Sequence, residues 1–287
     1  MSNPAYVLAQ PDQRTTSVIF ASPHSGREYS DAFLRSAVLD AVEIRSSEDA
    51  FVDLLYQAAP TFGAPFLSAI APRAFLDLNR GLDEMDAALI AGVRRVSQNP
   101  RVTSGLGVIP RVVANGKQIY RGKLTLEEAH NRIVQYWRPY HDKLQSLIDQ
   151  SHARFDEAIL IDCHSMPHEA MVSVSNNPDL RPQIVLGDRF GAAASGAVVD
   201  RIETAFAKAG FRVARNMPFA GAFIAQQYGR PSRRQHAVQI EIDRALYMNE
   251  TTLEPSDNFD TLRDRLTAVM ADIVAIGRRS KTPVAAE

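Results

Sequence analysis

The strongest constraint on this chain is an alternation of two periodicities. Short segments rich in β-branched and aromatic residues occupy positions 17–21, 66–70, 74–78, 158–162, 183–186, 211–214 and 237–242. Between them run stretches of helical period at 31–44, 50–59, 125–152, 191–209 and 258–278. Strands alternating with long helices predict an α/β fold: a single domain with a mainly parallel mixed sheet and helices on both faces. The helix at 125–152 is the clearest. Thr125 and Glu128 have capping-box spacing, and Ile133, Trp137, Tyr140, Leu144 and Leu147 form one apolar stripe. Pro139 is expected to kink it. Residues 81–122 are the least regular and read as a long excursion forming the wall of a site. Residues 1–14 and 279–287 read as peripheral tails of a domain spanning 1–287.

Composition narrows the function classes. The 287 residues carry a formal net charge of −1, so no basic field is offered to nucleic acid or an anionic membrane. The apolar runs are too short to span a bilayer, and the N-terminus lacks the pattern of a secretory signal. Cys163 is the only cysteine, which excludes an intrachain disulfide. These features predict a cytoplasmic protein. Glycine-rich phosphate loops are absent, so nucleotides are set aside.

Two strand ends carry the chemistry. The apolar run "VIFASPHSG" leads into His24, and "AILIDCHSMP" leads into His164. Ligands of open α/β sheets bind at the carboxyl ends of strands. Two imidazoles there, with a carboxylate from Glu48 or Asp49, form a donor set for zinc with an open water position. The competing reading of a lone histidine in such a place is an ordinary loop residue satisfied by hydrogen bonds; two at equivalent strand ends shift the weight to a metal.

"PRAFLDLNR" (72–80) brackets an apolar segment with Arg73 and Arg80, which suit carboxylate recognition, with Asn79 as a further donor. The plainer alternative is a solvated pair with Asp77 as partner. In "HAVQIEIDR" (236–244), Glu241 alternates with Ile240 and Ile242; facing a metal it becomes a general base. A nucleophile reading of "DCHS" falters because neighbours on an extended chain point to opposite faces, so His164 does not readily activate Cys163 or Ser165. No Gly-x-Ser-x-Gly elbow appears. His130, His141 and His152 read as surface groups; His168 and His236 stay in reserve.

Taken together, "SPHSG" (22–26), "EDAFVDLLY" (48–56), "DLNR" (77–80), "YWRPYHDKL" (136–144), "DCHS" (162–165), "AGAFIAQQYGRP" (220–231) and "HAVQIEIDRALYMNE" (236–250) resemble the N-formylglutamate amidohydrolase family. That family is distantly similar to zinc carboxypeptidases and to the aspartoacylase and succinylglutamate desuccinylase group. The resemblance implies a phosphorylase/hydrolase-like domain and one catalytic zinc per chain, held by His24, His164 and an acidic residue near position 48. Where the family pattern has an Asp-aromatic pair, this chain reads Glu48-Asp49-Ala50, which leaves Glu48 and Asp49 both open. The residue three after His24 is Arg27, so the carboxypeptidase His-x-x-Glu pair is not reproduced. Carried over by position, Asn79 and Arg80 hold a substrate carboxylate, Arg73 polarises the scissile carbonyl and Glu241 is the general base. Arg230 and Tyr228 join the substrate-binding set, with Arg111, Arg121 and Arg244 as further candidates for a second carboxylate. The implied reaction converts N-formyl-L-glutamate to formate and L-glutamate, near the end of histidine degradation. Its partner is thus a small acidic N-acyl amino acid. The alternatives are hydrolysis of another N-acyl amino acid or small peptide, a metal-free carboxylate-binding relative, and a cysteine hydrolase.

Overall fold

A computed structural model describes residues 4–94 and 99–278. Seven strands, β1 (Tyr6–Ala9), β2 (Val18–Ser22), β3 (Phe66–Ala69), β4 (Ala158–Met166), β5 (Ile184–Gly187), β6 (Val213–Arg215) and β7 (Gln235–Asp243), form one sheet. Their spatial order is β1-β3-β2-β4-β7-β5-β6. Strands β3, β2, β4 and β7 are parallel, while β1 and β5 run antiparallel to β3 and β7 at either side. The sheet is therefore the mainly parallel mixed one expected, with β1 as an added antiparallel edge.

The helices are α1 (Asp31–Ser36), α2 (Val52–Leu55), α3 (Pro100–Thr103), α4 (Leu126–Arg132), α5 (Arg138–Phe155), α6 (His168–Val172), α7 (Gly196–Lys208), α8 (Phe223–Tyr228) and α9 (Phe259–Ile276). Alternate strand residues sort the core into two layers. Phe20, Ile161, Val238 and Ile240 pack with α7 and α9 on one face; Ile19, Leu160 and Ala237 pack with α5 on the other. This period-two division is what buries a central strand on both faces. Among the described residues no helix is long and apolar enough to cross a membrane.

The expected capping box is present: Thr125 Oγ1 accepts from the Glu128 N–H, and the Glu128 carboxylate accepts from the Thr125 N–H. The long helix is interrupted just before Pro139, by a π-helical turn at Ile133–Trp137. Proline has no N–H to donate to the preceding turn, and the wider turn accommodates the loss.

Three expectations need correction. Residues 74–78 are not a strand: the N–H groups of Phe75 and Leu76 both donate to the Pro72 carbonyl, forming a turn. Its alternating leucines are buried in irregular chain, which imitates a strand pattern. The helix expected over 31–44 stops at Ser36, because the Val38 N–H donates across to the Ile119 carbonyl. The helix expected over 50–59 is a single turn, α2, followed by a 3-10 turn at Ala59–Phe62. The tail at 279–287 lies outside the described residues.

The connection from β2 goes to β3 on one side, while β4 lies on the other. That reversal opens a crevice at the carboxyl ends of β2 and β4, the usual ligand position in open α/β sheets.

Candidate metal centre and its cavity

The face of β4 and β7 that packs against α5 changes character along its length. Leu160 and Ala237 are apolar; Asp162 and His164 on β4, and Gln239 and Glu241 on β7, are polar. The register pairs Asp162 with Gln239 and His164 with Glu241, so all four side chains share that face. All four are buried. His164 thus lies inside the strand, which runs to Met166 rather than ending at 162, because β7 pairs with it along its whole length.

His24 arrives from the loop after β2. Gly26 permits the turn: a Cβ there would sit 2.1 Å from the Ala71 carbonyl oxygen. Asp49 comes from the turn before α2, where the chain passes through left-handed Phe51 (φ 65°). The Asp49 N–H donates to the His24 carbonyl at 3.1 Å, tying the two segments together.

The three side chains converge. His164 Nδ1 lies 2.8 Å from Asp49 Oδ2, and His24 Nδ1 lies 3.4 Å from the same oxygen. The imidazole centroids are 4.7 Å apart. Each ring is anchored through its other nitrogen, His24 Nε2 to Asp77 Oδ1 at 2.7 Å and His164 Nε2 to Asp162 Oδ2 at 3.0 Å. The remaining oxygen of Asp49 accepts from Arg244 Nη2 at 3.0 Å. His24 Nδ1 is buried with no hydrogen-bond partner. A buried nitrogen left bare costs free energy unless something else occupies its lone pair. One ligand atom from each of His24, Asp49 and His164 falls within 4.8 Å of the other two. The donor set and the carboxylates behind each imidazole fit a divalent metal.

Electrostatics agree. Burial raises the pKa of Asp49, but the hydrogen bond from His164 and the proximity of the two imidazoles outweigh it and hold the carboxyl well below its usual range. Burial lowers His164, yet Asp162 and Asp49 drive it well above the ordinary imidazole value. Burial pushes Glu241 up to about 7; His164, Arg73 and Arg244 oppose the rise, and Asp49 adds to it. Gln239 Nε2 donates to Glu241 Oε1 at 2.7 Å.

The cluster opens into a cavity of about 540 Å³, also lined by Arg73, Arg80, Arg101 and Arg244 and by parts of the 101–116 and 218–222 segments. The irregular stretch thus forms one wall, as anticipated. Arg73 lines the cavity and its Nε donates to Asp77 Oδ2 at 3.0 Å, while its terminal nitrogens have no hydrogen bond among the described residues. Asp77 is therefore more than a salt-bridge partner, since it also anchors His24.

Of the two acidic residues, Asp49 joins the cluster, whereas Glu48 is buried on Arg45 (Nε–Oε1 3.0 Å) and does not line the cavity. Asn79 is used internally: Oδ1 accepts from the Ile224 N–H at 2.7 Å, and Nδ2 faces His164 Nε2 at 3.2 Å. Tyr228 and Arg230 do not line the cavity. The Tyr228 hydroxyl meets His141 Nδ1, and Arg230 folds back on the Gln226 and Gly229 carbonyls at the surface. Arg111 is paired with Asp86, Arg121 is exposed away from the cavity, and Arg244 is consumed by Asp49, Ser165 and Ser46.

His141 is a further correction. It is 4% exposed, not a surface group. Its Nε2 donates to the Leu78 carbonyl at 2.9 Å, while Trp137 Nε1 donates to the Arg80 carbonyl at 3.0 Å. The π-helical turn and the start of α5 thereby clamp the backbone on both sides of Asn79. Cys163 points to the opposite face of the sheet into the core beside Phe20 and Tyr56, and burial raises its thiol pKa, which removes the cysteine-hydrolase reading. His168 pairs with Asp243, and His236 Nδ1 accepts from the Ser195 N–H; neither lines the cavity.

The chain has relatives among known proteins. The sequence model of the N-formylglutamate amidohydrolase family matches residues 16–248. The chain belongs to this family. It is 31% identical over 238 residues to the N-formylglutamate deformylase of Pseudomonas putida, covering 82% of each chain. It is 27% identical over 267 residues to that of Pseudomonas aeruginosa, covering 91% of this chain and 94% of the relative. The crystal structure of N-formylglutamate amidohydrolase from Ralstonia eutropha superposes with a TM-score of 0.88 at 35% identity, covering 95% and 98% of the two chains. A protein of Agrobacterium tumefaciens shares the fold at a TM-score of 0.66 and 14% identity, covering 96% of both chains. Membership makes this chain a hydrolase of amide bonds. The family match ends at residue 248, so all residues of the cluster and Glu241 lie inside it.

Proposed function

We propose that this protein is a zinc-dependent amidohydrolase that converts N-formyl-L-glutamate to formate and L-glutamate. The observation that carries the reading is the convergence of His24 Nδ1, Asp49 Oδ2 and His164 Nδ1 at the floor of an arginine-lined cavity, with Glu241 paired to His164. The names of the relatives supply the substrate.

His24, Asp49 and His164 would hold the ion, and zinc so held supplies a Lewis acid and water of lowered pKa. Asp77 and Asp162 fix the two imidazoles so that Nδ1 of each faces inward. Arg244 neutralises the outer oxygen of Asp49 and leaves Oδ2 as the inward donor. Glu241, its pKa near 7, takes a proton from the attacking water and returns it to the departing amide nitrogen. Arg73 offers its terminal N–H groups to the carbonyl oxygen as negative charge develops there. Its charge is secure: burial lowers its pKa, but Asp77 and Asp49 raise it further, leaving the guanidinium protonated. Arg80 is buried beside the cluster and directs one terminal nitrogen to the Asn79 carbonyl; its second binds the α-carboxylate next to the scissile nitrogen.

The test is formate release from N-formyl-L-glutamate by purified protein, before and after removal of metal by a chelator and re-addition of zinc. The expected result is turnover that is lost on chelation and restored by zinc. Turnover indifferent to chelation, or none with zinc bound, overturns the reading.

A further inference from the structure

We infer that Arg101 recognises a second carboxylate, the one on the substrate's side chain, and so selects acidic N-acyl amino acids over neutral ones. The inference rests on the amidohydrolase reading of this cavity and adds the residue that decides among its substrates.

Four arginines line the cavity, and three are committed. Arg244 donates to Asp49, Ser165 and Ser46. Arg73 is tied to Asp77, and Arg80 to the carbonyls of Leu106 and Asn79. The side chain of Arg101 makes no hydrogen bond or ion pair among the described residues. It is exposed at the rim, yet its backbone is held firmly. Asn99 caps α3 by accepting from the Arg101 N–H at 3.0 Å, and Asn99 Nδ2 donates to Glu84 at 3.1 Å. The Leu106 N–H donates to the Arg101 carbonyl at 2.8 Å, and the Leu106 carbonyl accepts from Arg80 Nε at 2.9 Å. One residue, Leu106, therefore fixes the segments of both arginines against each other.

Two guanidinium groups held on one wall repel. The charge of Arg101 adds to burial and to Arg73 in lowering the pKa of Arg80, against Asp77 and Glu84. No protein carboxylate bridges Arg80 and Arg101 among the described residues, so an arriving anion relieves the repulsion. The two differ in depth. Arg80 is buried next to Asp77 and Asn79, whereas Arg101 stands at the mouth. An N-acyl amino acid bound with its amide at the cluster places its α-carboxylate inward and its side-chain carboxylate outward. That order matches Arg80 and then Arg101.

The experiment compares kcat/KM of zinc-loaded wild type, R101A and R101K on N-formyl-L-glutamate and the near-isosteric N-formyl-L-glutamine. Wild type should prefer the glutamate compound. R101A should shrink that preference by about 10–100-fold, the usual worth of a charged hydrogen bond, and R101K should restore part of it. A preference unchanged in R101A overturns the inference. So does a wild type that hydrolyses both compounds equally, which would leave the amidohydrolase reading standing. A zinc-loaded wild type that hydrolyses neither overturns that reading, and the inference with it.

Discussion

His164 and Glu241 occupy paired positions on the adjacent parallel strands β4 and β7. A parallel ladder sends paired side chains to the same face, so the imidazole that belongs to the cluster and the carboxylate beside it are placed by backbone hydrogen bonds alone. The sheet, not a loop, sets their separation, which suits the base role proposed for Glu241.

The Glu241→Gln variant separates chemistry from assembly. It should retain zinc but lose at least about 100-fold in kcat, as expected when a positioned proton acceptor is removed. The same variant tests the raised pKa. A carboxyl whose folded pKa is about 7, against an ordinary 4.5, contributes stability that is complete below 4.5 and is lost as pH rises through 7. Metal-free wild type should therefore lose stability relative to Glu241→Gln between pH 5 and 8, read from urea unfolding midpoints.

Asp77 and Asp162 hold the outer nitrogens of the two imidazoles. Asp77→Asn and Asp162→Asn should each weaken zinc binding about 10–100-fold, measured by competition with a chromogenic chelator. Unchanged affinity in both would assign the ion elsewhere.

Zinc binding should release protons. His164 is held well above the ordinary imidazole pKa by Asp162 and Asp49 despite burial, so it carries a proton at neutral pH that an ion must displace. Affinity should fall as pH falls. Calorimetry in two buffers of different ionisation enthalpy should read about one proton released per ion.

His141 is predicted to be an acid-sensitive support. Burial lowers its pKa to about 4 against an ordinary 6.5, although the Leu78 carbonyl favours the charged form. A depressed imidazole contributes stability that is complete above pH 6.5 and is lost as pH falls through 4, of the order of 3 kcal/mol at most. His141→Gln should be less stable than wild type at pH 7.5, and the gap should narrow toward pH 4.5 in urea titrations.

Much of this molecule is legible from local pattern. The apolar runs into His24 and His164, the alternation around Glu241 and the capping box at Thr125 are local signals; the first three correspond to the strands that carry the site, and the last to the start of α4. The role of Asp162 was missed, because the strand was expected to end at 162; with the strand running to Met166, residues two apart share a face and Asp162 falls beside His164. What was not legible depends on distant partners. Leu76 and Leu78 alternate like a strand but are buried in a turn. Val38 ends its helix because of Ile119. His141 lies four residues after Trp137 and three before Leu144, so its spacing already put it on the buried stripe of α5; only its partners, the Leu78 carbonyl and Tyr228, depended on distant chain. Arg101 and Arg230 are indistinguishable as sequence, and only the fold of the 101–116 wall puts one at the cavity and leaves the other outside.

The most direct measurement is an anomalous difference map at the zinc edge from crystals of the zinc-loaded protein. The account predicts one strong peak about 2.0–2.2 Å from His24 Nδ1, Asp49 Oδ2 and His164 Nδ1. A map without density between those atoms, or with its peak at another cluster, would contradict it.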